Sequence, residues 1–303
     1  MKVLIVCSTN SGSIAPFILE QGEALVGLNV MVEYFTIQGK GIAGYLGNYK
    51  RLLAKINEFN PDIIHAHYGL SGLLANLQRK VPIITTYHGS DINNFFIFPF
   101  SGLCMMLSAH NIFVSEKIRQ KSGQFHKHSV IPCGVDTERF APIGKEVARK
   151  ELSLNATKKY ILFAGSFQDT VKNASLALDA IVSFPDMELL ELKGYSREQV
   201  ALLLNAVDVA LMTSYTEGSP QFVKEAMACN CPIVSVPAGD VPEVTKNTDG
   251  CFISTYEPAD VAEKLCMAFD FGKRTEGRKQ ILELRLDSES IAKRILEVYN
   301  LFL

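Results

Sequence analysis

Eleven short apolar runs, each separated from the next by a stretch of helical length or a turn, set the tightest limit on how this 303-residue chain can fold. In the first half they lie at 2–7, 30–35, 63–65, 82–87, 112–114 and 130–131. In the second half they lie at 160–164, 188–192, 207–212, 233–236 and 251–253. Runs of this length bounded by turn residues read as buried strands. Their alternation with helical stretches at 15–25, 45–59, 71–77 and 116–122 points to parallel sheets in doubly wound α/β domains. A prior of about 150 residues per domain gives two domains, and 48% apolar residues suffice for two cores. Pro132, Pro142 and Gly144 punctuate the middle, so a linker is expected over 133–155. The expected domains are 1–143 and 144–287, followed by a terminal helix at 288–303.

Composition narrows the function classes. A charged fraction of 20% and a formal net charge of −2 give no basic footprint for a nucleic-acid partner. The opening MKVLIVCSTNS has five apolar residues after its lysine, too few for a signal-peptide core and fitting for a first strand, so a cytoplasmic location is expected. Seven cysteines without a secretion signal read as reduced thiols. Cys229 and Cys231 flank a helix end with no partner at zinc-site spacing, so no metal site is expected. Residues 92–115 carry no charge, and Pro99, Ser101 and Gly102 interrupt the run, which excludes a membrane span. One reading is a buried loop and helix. The other notes Lys117, Arg119, Lys121, His126, Lys127 and His128 just beyond it, an apolar surface beside a basic one that suits docking on a lipid-linked acceptor or peripheral contact with the inner face of an anionic membrane.

The chemistry concentrates in EGSPQFVKEAMACNCPIVS, where seven residues separate Glu217 from Glu225. Ser219 and Pro220 read as a hydroxyl N-cap followed by proline at the first helical position, so a helix is expected from Pro220. With strands on either side this is a βαβ unit, in which ligands collect where strand ends meet helix N-termini. The free N–H groups and the dipole there favour an anion. Glu225, inside the helix, is suited to accepting hydrogen bonds from paired hydroxyls such as those of a ribose. Asn10 to Ser13, small residues after the first strand, offer a second anion-friendly loop through Gly12 and Ser13.

This stretch resembles the two-glutamate signature of the retaining glycosyltransferases of family 4. Residues 88–91 (HGSD) are similar to that family's HGxD loop, 130–140 (VIPCGVDTERF) to its interdomain segment, and Lys172-Asn173 falls where it has a phosphate-binding lysine. Residues 62–67 (DIIHAH) also fit, so the resemblance runs in order along nearly the whole chain. It implies the GT-B fold, two Rossmann-like parallel-sheet domains with an interdomain cleft, and a last helix that crosses back to the first domain. It implies transfer of a hexose or N-acetylhexosamine from a UDP- or GDP-sugar to a glycan or lipid-linked acceptor, with no cofactor. His88 and Glu217 would be catalytic. Gly12, Ser13, Lys172, Gly218, Ser219, Pro220, Gln221 and Glu225 would hold the donor, with His88 beside its sugar. His65 and His67 are read as structural. The chain has no DxD triplet, so no divalent ion is expected.

One position departs from the pattern. The family commonly has an arginine after the glycine at this strand end, whereas Gly165 is followed here by Ser166, which removes a bidentate phosphate clamp. A non-catalytic sugar-nucleotide binder is therefore the main alternative, and a sugar-nucleotide epimerase on the same fold a lesser one.

Overall fold

The computed structural model describes residues 1–123 and 127–303. His126, part of the basic group noted in the sequence, lies outside the described residues. The chain divides into two compact units, Met1–Gly134 with Ser288–Leu303, and Val135–Asp287.

The first unit is built on a fully parallel sheet of β1 (Lys2–Ser8), β2 (Met31–Ile37), β3 (Ile63–His67), β4 (Ile83–Tyr87), β5 (His110–Phe113) and β6 (His128–Val130). The strand order is β2-β1-β3-β4-β5-β6. β1 is buried along nearly its whole length because helices cover both faces, which is why its sequence reads as a continuous apolar run. Leu4, Val6, Phe35, Leu52, Ile64 and Leu74 form one core, and Tyr87, Cys104, Phe113 and Ile118 form another.

The helix Ser288–Tyr299 belongs to this unit, packing against the helix Pro16–Gly27. It is pinned at its middle and at its C-terminal end: Arg294 donates to the Val130 carbonyl at 2.7 Å, and the hydroxyl of the fully buried Tyr299 lies 2.6 Å from His65 Nδ1.

The second unit carries β7 (Lys159–Phe163), β8 (Met187–Glu191), β9 (Val209–Met212), β10 (Ile233–Ser235) and β11 (Cys251–Ile253), all parallel, in the order β11-β10-β9-β7-β8. Its core takes Ile161, Leu162 and Phe163 from β7, Ala210 and Leu211 from β9, and Ile233 and Val234 from β10.

The unit begins at Val135, inside the span 133–155 expected for the linker. The reason is local: Val135 donates to the Leu286 carbonyl at 2.9 Å, Arg278 donates to the Thr137 and Phe140 carbonyls at 2.7 and 3.2 Å, and Asn205 binds the backbone of Ala141 and Ile143.

Both sheets have the doubly wound order in which the chain starts in the middle and winds out to each side. The order reverses between β1 and β3 in one unit and between β7 and β9 in the other. At such a switch point the loops leaving adjacent strands diverge and open a crevice at the carboxyl ends, where ligands bind. The loops after β1, β3, β7 and β9 are therefore where chemistry is expected. Among the described residues, no helix is long and apolar enough to cross a membrane. All seven cysteines are free thiols.

Candidate functional site

In the second unit, the loops flanking the switch point bring Lys172 and Glu217 together. The Lys172 ammonium lies 2.7 Å from Glu217 Oε1, with both side chains partly exposed. Each partner is held from behind. Lys172 ends the one-turn helix Thr170–Lys172, which the Asp169 carboxylate caps by accepting from Val171 N at 3.0 Å. Thr213, buried just past β9, donates its hydroxyl toward the Lys172 and Asn173 carbonyls, each at 2.9 Å, so the two loops are joined below the ion pair.

Gly165 makes room for the lysine: a Cβ there would stand 2.9 Å from Lys172 Cγ, and its φ of +155° disfavours a side chain. Ser166 contributes no cation. Its hydroxyl and the Phe167 N–H both donate to Glu191 Oε1 at 2.7 Å, which fastens this loop to the end of β8 and draws the Glu191 carboxyl below its usual range.

The following helix spans Gln221–Ala228, so it starts one residue later than the sequence suggested, with Pro220 in the N-cap position. Ser219 is not the cap. Its hydroxyl donates to Asp240 Oδ2 at 2.5 Å and accepts from the Lys224 ammonium at 2.9 Å. The physical reason is burial. Lys224 is fully buried, and burial pushes the Asp240 carboxyl up against the pull of Lys224, so these two groups claim the hydroxyl that would otherwise cap the helix. A second contact holds the same turn, since a Cβ on Gly239 would come within 2.8 Å of the Gly218 carbonyl.

Glu225, expected to face a ribose, is buried, and its Oε1 accepts from Arg197 Nη2 at 2.6 Å. That guanidinium sits 4.8 Å from the Phe140 ring centroid. Gly218, Ser219, Pro220 and Gln221 thus line one turn beside Glu217, while Glu225 turns to Arg197.

In the first unit, His88 follows β4 and is enclosed by rings. Phe17 is 4.7 Å away, Tyr68 4.6 Å and His67 5.2 Å, centroid to centroid. Its Nε2 lies 3.0 Å from His67 Nδ1, and its Nδ1 lies 3.7 Å from the Cys133 thiol. His67 stacks in turn on His65, whose two nitrogens contact the Tyr299 hydroxyl at 2.6 Å and Thr86 Oγ1 at 2.7 Å.

Burial lowers His65 to about 3 and carries His67 well below its usual value, so both rings are neutral. Among the described residues, His67 Nε2 has no partner. A bare lone pair there costs less than an orphaned N–H, so His67 carries its proton on Nδ1 and donates it to His88.

Asp91 fixes the loop beneath by accepting from the N–H groups of Gly89, Gly69 and His88 at 2.9, 3.1 and 3.2 Å. Burial raises its carboxyl to about 6, opposed by those hydrogen bonds. Gly12 and Ser13 sit exposed in the loop after β1, which Asn10 anchors to both backbone groups of Gly39. His65 and His67, read as structural from the sequence, are fully buried and link β3 to Tyr299, Thr86 and His88. Their signal, alternation within DIIHAH that points both rings to one side of a strand, is present in the sequence.

The description "Glycosyltransferase Family 4" matches residues 2–139, and "Glycosyl transferases group 1" matches residues 186–270. The chain belongs to the GT-B glycosyltransferases of family 4 and group 1. Relatives of these glycosyltransferases to which it is similar include the putative teichuronic acid biosynthesis glycosyltransferase TuaC of Bacillus subtilis, 25% identical over 220 residues, covering 62% of this chain and 56% of that protein. Another is the D-inositol 3-phosphate glycosyltransferase of Mycolicibacterium smegmatis, 23% identical over 260 residues, covering 69% and 60%. The chain thus spans less than two thirds of the length of either relative.

Among solved GT-B structures, sucrose-phosphate synthase from Thermosynechococcus elongatus superposes with a TM-score of 0.85 at 17% identity, over 99% of this chain and 98% of that one. Anabaena HepE in complex with UDP-glucose gives 0.78 at 16% identity, over 99% of each. At such identities these likenesses establish the fold.

Proposed function

We propose that this GT-B chain is a retaining hexosyl- or N-acetylhexosaminyltransferase that uses a UDP- or GDP-sugar and a glycan or lipid-linked acceptor, without a divalent ion. The observation that carries it is the 2.7 Å contact of Lys172 with Glu217 at the switch point between β7 and β9. An ammonium has three donors. One is given to Glu217, and two remain for diphosphate oxygens, beside the positive end of the helix Gln221–Ala228.

As the bond from the anomeric carbon to phosphate oxygen breaks, its electron pair goes to the departing diphosphate, where Lys172 and the backbone turn of Gly218 to Gln221 meet the growing charge. Preorganised electrostatics of this kind is usually the largest catalytic contribution. The acceptor hydroxyl attacks the anomeric carbon from the same face, and its proton passes to the leaving phosphate oxygen. Glu217 keeps lone pairs for hydroxyls of the donor sugar. His88 is the hydrogen-bond partner of a hydroxyl of the donor sugar. The UDP-glucose bound to Anabaena HepE and the teichuronic acid biosynthesis in the name of TuaC support the donor and acceptor classes.

The test is release of nucleoside diphosphate across a panel of UDP- and GDP-sugars with glycan and lipid-linked acceptors, with the anomeric configuration of the product read by NMR. Glu217→Gln and Lys172→Met should each lower turnover by about 10²-fold or more, with unchanged melting, and a chelator should change nothing. Wild-type rates in either variant reject the site, and an inverted product rejects the mechanism. The bonding of Ser166 to Glu191, where the family commonly has an arginine, favours a second reading: a binder of sugar nucleotides that transfers nothing. That reading predicts calorimetric binding of donors with neither transfer nor donor hydrolysis.

A further inference from the structure

The helix Phe98–Leu107 carries no charged residue on any face, yet only one face is buried. A helix apolar all round belongs in a core or against another apolar phase. Ser101, Cys104 and Met105 are buried, and the helix packs closely against the helix Gly69–Asn76. The fit is close: a Cβ on Gly69 would come within 2.2 Å of Ser101 Oγ, and one on Gly72 within 2.5 Å of Cys104 Sγ. The helix is therefore locked in rotation, and its other stripe, Pro99, Leu103 and Met106 at helical spacing, faces solvent. Met106 is 80% exposed, and on the approach to the helix Phe95 and Phe96 are 83% and 82% exposed, edge to face with centroids 5.9 Å apart.

Cations stand next to this patch. Lys121 on the helix Glu116–Ser122 donates to Asn93 Oδ1 at 2.7 Å, two residues before Phe95. Lys117, one turn earlier, shares its exposed face, while the acidic residue of that helix, Glu116, is occupied by Arg119.

We infer that Phe95, Phe96, Leu103 and Met106 insert into the interfacial region of an anionic lipid bilayer, with Lys117 and Lys121 against its headgroups. The side chains project from the surface. A bilayer receives projecting rings without shape complementarity, whereas a protein partner would need matching pockets. The charge sign selects an anionic surface, since each lysine near such a leaflet strengthens binding. This surface stands independently of the transfer reading.

The test is co-sedimentation of the full chain with vesicles of phosphatidylglycerol mixed with phosphatidylcholine, and with phosphatidylcholine alone. Binding should require the anionic lipid and weaken with salt. Replacing both rings (Phe95→Ser with Phe96→Ser) should lower the partition coefficient by about tenfold or more, Met106→Gln should lower it further, and Lys117→Glu should lower it by about fivefold or more. Melting curves that match wild type show that the variants fold. Wild-type protein that stays in the supernatant with anionic vesicles overturns the inference. So does a double-ring variant that binds as wild type does, or a wild-type dimer in light scattering that the double-ring substitution dissolves, because the patch would then serve self-association.

Discussion

Acidification from pH 7 to pH 5 should destabilise the first unit through its stacked histidines, and the size of the effect follows from their burial. His65 titrates near 6.5 when unfolded and near 3 in the fold, because burial disfavours its charged form. Between those values the unfolded chain binds a proton that the folded chain does not, so stability rises with pH by about 1.4 kcal/mol per unit. Descending from 6.5 to 5 therefore costs about 2 kcal/mol from His65 alone. His67, also lowered by burial, adds a loss of the same sign. Asp91 opposes them. Its carboxyl is raised from 3.8 to about 6, so the folded state gains a proton first, and stability recovers about 1.4 kcal/mol between pH 6 and 5.

A difference measurement removes that opposing contribution. His65→Asn keeps a polar group facing Tyr299 but cannot titrate, so its stability loss between pH 7 and 5 should be shallower than that of wild type by about 2 kcal/mol. Urea unfolding at each pH, followed by far-ultraviolet circular dichroism and by tyrosine fluorescence, reads this directly. Equal slopes for variant and wild type would refute the assignment of His65 as a buried neutral ring.

Three further outcomes are expected. Lys224→Met removes the fully buried ammonium that holds Ser219 and, through it, Asp240; unfolding free energy should fall by about 3 kcal/mol or more, and a wild-type midpoint in urea would contradict the network. Gly165→Ala places a Cβ 2.9 Å from Lys172 Cγ at a positive φ, at a cost of about 1–3 kcal/mol, and should weaken UDP binding in calorimetry by moving the ammonium; unchanged affinity would show that Lys172 does not meet the nucleotide. Tyr299→Phe deletes the hydroxyl 2.6 Å from His65 and should cost about 1–3 kcal/mol, and equal stability would remove Tyr299 as an anchor of the last helix.

How much was legible in the sequence depends on the range of the interaction that decides each feature. The eleven apolar runs became eleven strands, because a buried parallel strand writes its own continuous apolar segment. The single helix expected over 45–59 is instead two, Gly41–Leu46 and Tyr49–Phe59. They part where Asn48 turns its amide to the carbonyls of Gln38 and Gly44, a choice set by tertiary neighbours rather than by propensity. The Ser219 cap failed for the same reason. The local rule was sound, but Asp240, on a loop 21 residues away, needed the hydroxyl more. Arg197 reaches Glu225 across 28 residues, a pairing that no local spacing encodes. Lys172 and Glu217 are 45 residues apart, yet the fold brings together these two residues that the sequence singles out, because each sits on a loop leaving one of two strands, β7 and β9, that the doubly wound order makes neighbours. Sheet order turns a long sequence separation into a short spatial one. A candidate site at a switch point is therefore readable from strand pattern and motif, whereas the partners that hold its loops and helix in place, Thr213, Asp240 and Arg197, appear only once side chains have competed for one another.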